Sequence, residues 1–158
     1  MPSLSPGTAG AKEAYGISVL REDHLIHIPP KAFIRYNLKD YDLVLLTSTR
    51  AGECGFGILN IEKARKSVFK KIIEKIDSID TPILVNSKPY AITRIKNGTI
   101  KFNNELLKAF DLKIGERFIV VKSTTVAMSY NPVDVFKAKL KKHGFFEAIN
   151  NIDKLEIF

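Results

Sequence analysis

Three histidines and one cysteine are the side chains of this 158-residue sequence best suited to binding a metal or attacking a substrate. His24 and His27 lie in a stretch that alternates like a strand. Residues three apart in a strand point to opposite faces, so one ion cannot take both. No cysteine or carboxylate joins them at ligand spacing. His143, at the end of a helical pattern, meets the helix dipole or solvent. Cys54 sits in Ala51-Gly52-Glu53-Cys54-Gly55-Phe56-Gly57. That segment is neither a phosphate-cradling G-x-x-x-x-G-K-[ST] loop nor a G-x-G-x-x-G turn opening a helix, and it reads as a turn between strands. A nucleophilic Cys54 would need a distant histidine as its base, and nothing in the sequence supports that pairing. The acidic pairs Glu22-Asp23 and Asp40/Asp42 fall where turns are expected and read as turn formers. The sequence therefore implies no enzyme, no metal and no cofactor. A single cysteine excludes an internal disulfide and fits a reducing compartment.

What remains is charge. Lysine and arginine number 25 against 17 aspartates and glutamates, a net +8 with a pI near 9.5. Such an excess concentrates polyanions, so nucleic acid is the first partner to consider. The segment 62–75 carries Lys63, Arg65, Lys66, Lys70, Lys71 and Lys75. It reads first as a solvated face, and second as a surface for phosphates or an acidic partner. Glutamine is absent while isoleucine, lysine and glutamate abound, a composition resembling that of thermophile proteins, where lysines also serve ion pairs. Apolar residues make up 45%, enough for a core, yet no apolar run nears the roughly 18 residues of a membrane span. Residues 1–15 have no basic and apolar signal pattern and read as a flexible tail. The expectation is a soluble cytoplasmic protein.

The elements that would position these charges occur twice. His24-Leu25-Ile26-His27-Ile28-Pro29-Pro30 aligns with Gly98-Thr99-Ile100-Lys101-Phe102-Asn103-Asn104 at an offset of 74, and the apolar pattern continues without a gap through Val44-Leu45-Leu46 over Phe118-Ile119-Val120. Each copy predicts a strand (17–20; 91–95), a tight turn (Glu22-Asp23-His24; Lys96-Asn97-Gly98), a short strand (25–28; 99–102), and one or two helical turns started by Pro30 or capped by Asn103. These turns bury Phe33 and Tyr36 in one copy, and Leu106, Leu107 and Phe110 in the other. Asn37 or Asp111 closes them where a left-handed residue is wanted. A last strand follows (43–47; 117–122). Beyond each copy an amphipathic helix is expected. One spans 60–79 on Ile61, Ala64, Val68, Ile72, Ile76 and Ile79. The other starts at Asn131-Pro132 and runs on Val133, Phe136 and Leu140 to Gly144. Residues 145–152 predict a short helix, 154–158 a strand or loose end, and 80–88 the junction, with Thr81-Pro82 as breaker and 86–89 turn-like.

The order strand, turn, strand, proline-led helical turn, Leu-Lys-x-Gly-(Asp/Glu), strand resembles the AbrB/SpoVT swapped-hairpin family. Copy two carries it in Asn97-Gly98-Thr99-Ile100-Lys101-Phe102 and Leu112-Lys113-Ile114-Gly115-Glu116-Arg117-Phe118-Ile119-Val120. Copy one keeps Ile26-His27-Ile28-Pro29 and Leu38-Lys39-Asp40-Tyr41-Asp42-Leu43-Val44. The resemblance implies an α+β fold: a small swapped-hairpin β-barrel formed by two repeats in one chain, a pseudo-dimer, each repeat followed by an amphipathic helix. The first repeat with its helix is 16–80 and the second with its helices is 81–158, the two forming one globular unit. One copy alone, a hairpin and a helical turn, cannot cover its own apolar face. The family commonly binds DNA, so the resemblance implies a transcriptional regulator whose partner is duplex DNA, with a homodimer through the added helices as a further expectation. Copy two, at +6 against +2 for residues 1–80, would dominate through Arg94, Lys96, Lys101, Lys108 and Arg117, with Arg21, Lys31 and Arg35 assisting. Leu25, Thr99, Phe33-Ile34 and Leu107 stand where family members often carry arginine. A protein-interaction module that has lost its DNA contacts is therefore the alternative. A well-formed polar pocket would reopen a ligand-binding or catalytic reading.

Overall fold

The computed structural model describes residues 14–48 and 55–158. The strands are β1 (Ala14–Val19), β2 (Leu25–His27), β3 (Leu43–Ser48), β4 (Phe56–Asn60), β5 (Ile83–Val85), β6 (Lys88–Arg94), β7 (Thr99–Lys101), β8 (Arg117–Lys122) and β9 (Ala127–Pro132). The helices are α1 (Pro30–Arg35), α2 (Ile61–Arg65), α3 (Lys70–Glu74), α4 (Asn104–Ala109), α5 (Val133–Lys142) and α6 (Phe146–Ile152). The fold is mixed α+β. Seven strands form an antiparallel sheet in the order β1-β8-β9-β4-β3-β6-β5, and β2 and β7 form a separate antiparallel ribbon. The main sheet is open, with β1 and β5 at its ends, and does not close on itself as a barrel.

Strands pair across the two halves of the chain. The first strand of each half lies beside the last strand of the other: β1 on β8 and β6 on β3. In the ribbon, Ile26 stands directly opposite Ile100, its own counterpart at an offset of 74. In the main sheet, Phe56 stands opposite Tyr130, again its own counterpart, with the rings stacked at 4.7 Å. A pseudo-two-fold axis therefore passes through both pairs. The hydrogen bonds repeat about it. Tyr41 N donates to Ile95 O and Gly115 N to Leu20 O, both at 2.7 Å, while Ile28 N donates to Gly98 O and Phe102 N to His24 O, both at 2.9 Å. One correction to the repeat follows: Ser18 and Thr93 occupy matching register positions, so the first strands are offset by 75 rather than 74. The extra residue is absorbed in the turn, four residues long in 21–24 and three in 96–98.

Local chemistry explains the punctuation. Asn97 and Gly98 both have positive φ, 51° and 69°, as a two-residue hairpin turn needs. His24 adopts the same left-handed conformation as Gly98, at 68°, and its Nδ1 donates to Phe102 O at 2.8 Å. Asn37 and Asp111 close α1 and α4 at 52° and 54°. Asn103 Oδ1 accepts from Leu106 N at 2.8 Å, capping α4.

Three apolar clusters hold the layers together. The largest takes residues from both halves, among them Leu20, Ile26, Tyr36, Phe56, Ile100, Phe102, Phe118 and Tyr130. It lies between the inner face of the main sheet and a layer made of α1, the ribbon and α4. On the outer face, α5 and α6 bury Ile17, Ile119 and Val121, while α2 and α3 bury Leu45, Leu59 and Ile92. Each helical layer thus covers an edge region containing a strand of the other half.

Several expectations change. The helix expected over 60–79 is two short helices. The Ser67 hydroxyl donates to Ala64 O at 2.6 Å and accepts from Phe69 N at 3.1 Å, ending α2 and turning the chain. Phe69 then turns inward in place of Val68, which is 87% exposed. Ala14 and Tyr15, assigned to the tail, begin β1, and the rest of that tail lies outside the described residues. Asn131 and Pro132 end β9, so α5 starts at Val133 rather than at a cap-and-proline pair. The glycine-bearing segment around Cys54 leads into β4 at Phe56, while Cys54 itself lies outside the described residues. The junction 80–88 contains β5, joined to β6 through Asn86 and Ser87 with φ of 52° and 66°. The last residues run beside β1: Ile17 N donates to Glu156 O and Phe158 N to Ile17 O.

Candidate nucleic-acid interface

The eight cations singled out in the sequence are all exposed, but they fall into separate groups. Arg21 and Lys96 are pseudo-two-fold mates, each one residue beyond Leu20 or Ile95 at the start of a turn. Lys101 is on β7 opposite Leu25. Because Ile26 and Ile100 face the core, strand alternation turns Lys101 to the ribbon's outer side. Lys31 and Arg35 are on α1 and Lys108 on α4, the helices flanking the ribbon. Six of the eight therefore belong to one layer and its turns. Arg94 and Arg117 do not. Each shares its sheet face with Ile92 or Ile119, which lie under the outer helices, so both side chains leave the main sheet on the face opposite the ribbon. Arg94 is also engaged, its Nη1 donating to Tyr41 O at 2.7 Å, and the Arg35 guanidinium sits 5.7 Å from the Tyr36 ring centre.

Carboxylates are interleaved with the ribbon layer. Glu22, Asp23, His24, Lys101, Asn103 and Asn104 line a hollow of about 320 Å³, so Lys101 shares its surroundings with two acids. Asp40 Oδ1 accepts from Gly98 N at 2.9 Å, beside Lys96. Asp42 Oδ2 accepts from Lys39 N, and Glu116 Oε1 from Lys113 N at the mate position. Over residues 20–42 and 95–116 the chain holds eight basic and seven acidic side chains. The positive excess is elsewhere: eight basic against four acidic in 55–94, and seven against four in 117–158. The α2–α3 segment supplies most of the first group, with Lys63, Arg65, Lys66, Lys70, Lys71 and Lys75. Only Arg65 among them has an ion pair, to Glu62 at 2.9 Å on an exposed face, worth little in water. The sequence sets this segment apart on its own, as a solvated face first and a surface for phosphates or an acidic partner second.

The histidines separate as their spacing requires. His24 is tied to Phe102 O. The His27 carbonyl accepts from Ser18 Oγ at 2.8 Å and from the Tyr130 hydroxyl at 2.9 Å, and its Nδ1 is buried without a partner. Burial, against a smaller opposing effect of the Ser18 hydrogen bond, drives the Tyr130 hydroxyl far above its ordinary range, so it stays protonated and donates. Among the described residues no group of three or more His, Cys, Asp or Glu side chains is placed to hold a metal, and no helix is long and apolar enough to cross a membrane. Comparison with protein-family models, with curated proteins and with solved structures returned no match for this chain.

Proposed function

We propose that this chain is a duplex DNA-binding protein of the AbrB/SpoVT swapped-hairpin kind, with both copies in one polypeptide, acting as a transcriptional regulator. The observation that carries the reading is the exchange of strands about the Ile26/Ile100 and Phe56/Tyr130 pairs. It supports a tandem swapped-hairpin unit in which the covalent link replaces dimer concentration by a fixed effective concentration. The net charge of +8 supports a polyanionic partner.

In this mechanism Arg21 and Lys96, as two-fold mates on the strand turns, probe the groove, while the remaining cations neutralise phosphates. Fluorescence anisotropy with a labelled duplex over a salt series tests it. Four phosphate contacts give a log–log slope of about −3.6, or roughly a hundredfold loss between 50 and 200 mM salt. Charge reversal at Arg21 and Lys96 is compared with reversal at Lys70, Lys71 and Lys75. Loss confined to the first set supports the turn layer as the interface, and loss confined to the second moves the interface to α2–α3. No binding to duplex DNA at low salt refutes the function.

A second reading is favoured by the near balance of charge on the ribbon layer. There the same scaffold acts as a protein-interaction module, and the exposed Ile34 and Tyr41 beside the turns supply apolar anchors. It predicts salt-insensitive capture of a specific protein by a surface that Ile34→Asp abolishes.

A further inference from the structure

Eight non-glycine residues among those described hold a left-handed backbone, with φ between 51° and 72°. Five are asparagine or aspartate, whose short polar side chains tolerate it. Ser87 lies in the turn between β5 and β6, and His24 is bonded to Phe102 O. Tyr41, at 72°, is the largest of the eight and has no such compensation. Its side chain is 67% exposed, and among the described residues its ring and hydroxyl have no ring or hydrogen-bond partner.

The pseudo-two-fold axis supplies a reference for this position. Gly115, at an offset of 74, has φ of 88° and makes the matching backbone bond, to Leu20 O where Tyr41 N bonds to Ile95 O. Nothing lies within 4 Å of where a Cβ on Gly115 would stand, so glycine serves there for its backbone and not for space. In the first half the same conformation is imposed on a tyrosine. Its N–H is held by Ile95 O and its carbonyl by Arg94 Nη1, both at 2.7 Å. The fold gains little from a strained residue whose side chain stays in water. Strain of this kind collects where a side chain meets a ligand.

The neighbours say what the ring meets. Lys96 follows Ile95, and Asp40 Oδ1 accepts from Gly98 N at 2.9 Å, so the 39–42 loop lies against the turn 96–98. Lys39 and Lys96 are both exposed there. The two acids of the loop, Asp40 and Asp42, accept from the backbone N–H groups of Gly98 and Lys39. The centre of a protein–protein contact is depleted of charge, whereas charged residues adjoin this ring on both sides in sequence and across the loop. A flat apolar ring beside lysines instead suits a nucleic-acid strand, where sugar and base edge alternate with phosphate.

We infer that Tyr41 is a nucleic-acid contact, presented by a strained turn so that its ring packs on a sugar and base edge of the strand that Lys96 reaches. The mate position, Gly115 near Arg21, carries no ring, so the two halves grip a duplex unequally. The inference rests on the duplex-binding reading.

The test uses the full chain, with anisotropy of a labelled mixed-sequence duplex at low salt and thermal unfolding of the same samples. Tyr41→Gly installs the residue of the mate position. It should raise Tm by about 2–4 °C, because the strain leaves with the side chain. It should also weaken duplex binding about tenfold, because the ring contact is lost. Tyr41→Phe keeps the ring and should bind within about twofold of the unmodified chain. Neither change alters charge, so the salt slope should stay the same. Duplex binding that Tyr41→Gly leaves unchanged overturns the inference while the DNA reading stands, and a raised Tm in that case points to a protein partner for the ring. A Tm that Tyr41→Gly lowers or leaves unchanged also overturns it, since the ring would then serve the fold. Absence of duplex binding by the unmodified chain refutes the DNA reading itself, and this inference with it.

Discussion

Ile26 and Ile100 face one another across the pseudo-two-fold axis, and both are fully buried. Their Cβ atoms, directly opposite in an antiparallel pair, are about 5 Å apart. If the halves share one core, trimming either isoleucine weakens the whole molecule equally. Ile→Val at either site should cost about 1 kcal/mol and Ile→Ala about 2–5 kcal/mol. For a chain of this size each kcal/mol lowers Tm by roughly 2–4 °C. The two alanine changes together approach the whole stability of an ordinary domain, so the informative double variant is Ile26→Val with Ile100→Val. Because the two residues stand directly opposite in one core cluster, its cost should fall short of the sum of the single costs by about 0.5 kcal/mol or more. Urea unfolding followed by far-UV circular dichroism measures this, with tyrosine fluorescence as a second probe, since the chain has five tyrosines and no tryptophan. One transition with an unchanged m-value is expected for every variant. Two transitions, or a single variant that unfolds only half of the signal, would refute a shared core. Strict additivity in the double variant would refute the axial contact.

Three further outcomes follow from individual contacts. Tyr130 is held protonated by burial, so its folded-state pKa lies above the unfolded value near 10. Its contribution is complete below about pH 10 and is lost as pH rises above it, at about 1.4 kcal/mol per unit. Tyr130→Phe should flatten that part of the stability–pH curve, and an unchanged slope would rule the residue out. Gly98→Ala should cost about 1 kcal/mol in urea unfolding although nothing lies within 4 Å of the added carbon, because φ is +69°. A neutral effect would mean that the turn can rearrange freely. A Cβ at Gly16 would stand 2.6 Å from Phe158 Cε2, so Gly16→Ala should displace the last residues from β1. Amide exchange should then speed at Ile17 and Phe158, whose N–H groups bond across that seam, while Leu45 in the sheet interior stays protected.

The repeat was legible because it rests on short-range chemistry. Alternation at 99–102, Asn97-Gly98, the Asn103 cap and the left-handed Asn37 and Asp111 each follow from a few neighbouring residues. The repeat spacing was nearly right for the same reason, and failed by one residue only where a turn absorbed an insertion. Tertiary contacts decided the rest. Val68 fits a helical stripe, yet a hydroxyl three residues beyond Ala64 and a better burial for Phe69 broke that helix. β5 and β9 were missed, and the strand implied after the Cys54 segment had no bounds, because a strand three to six residues long acquires its identity from its partner in the sheet. Sequence alone determined which residues are charged, and so the net +8. Which of those charges share a face depends on how distant strands pair. That pairing places Arg94 and Arg117 on one side of the sheet and the ribbon cations on the other, and sets Tyr41 against the turn that follows β6.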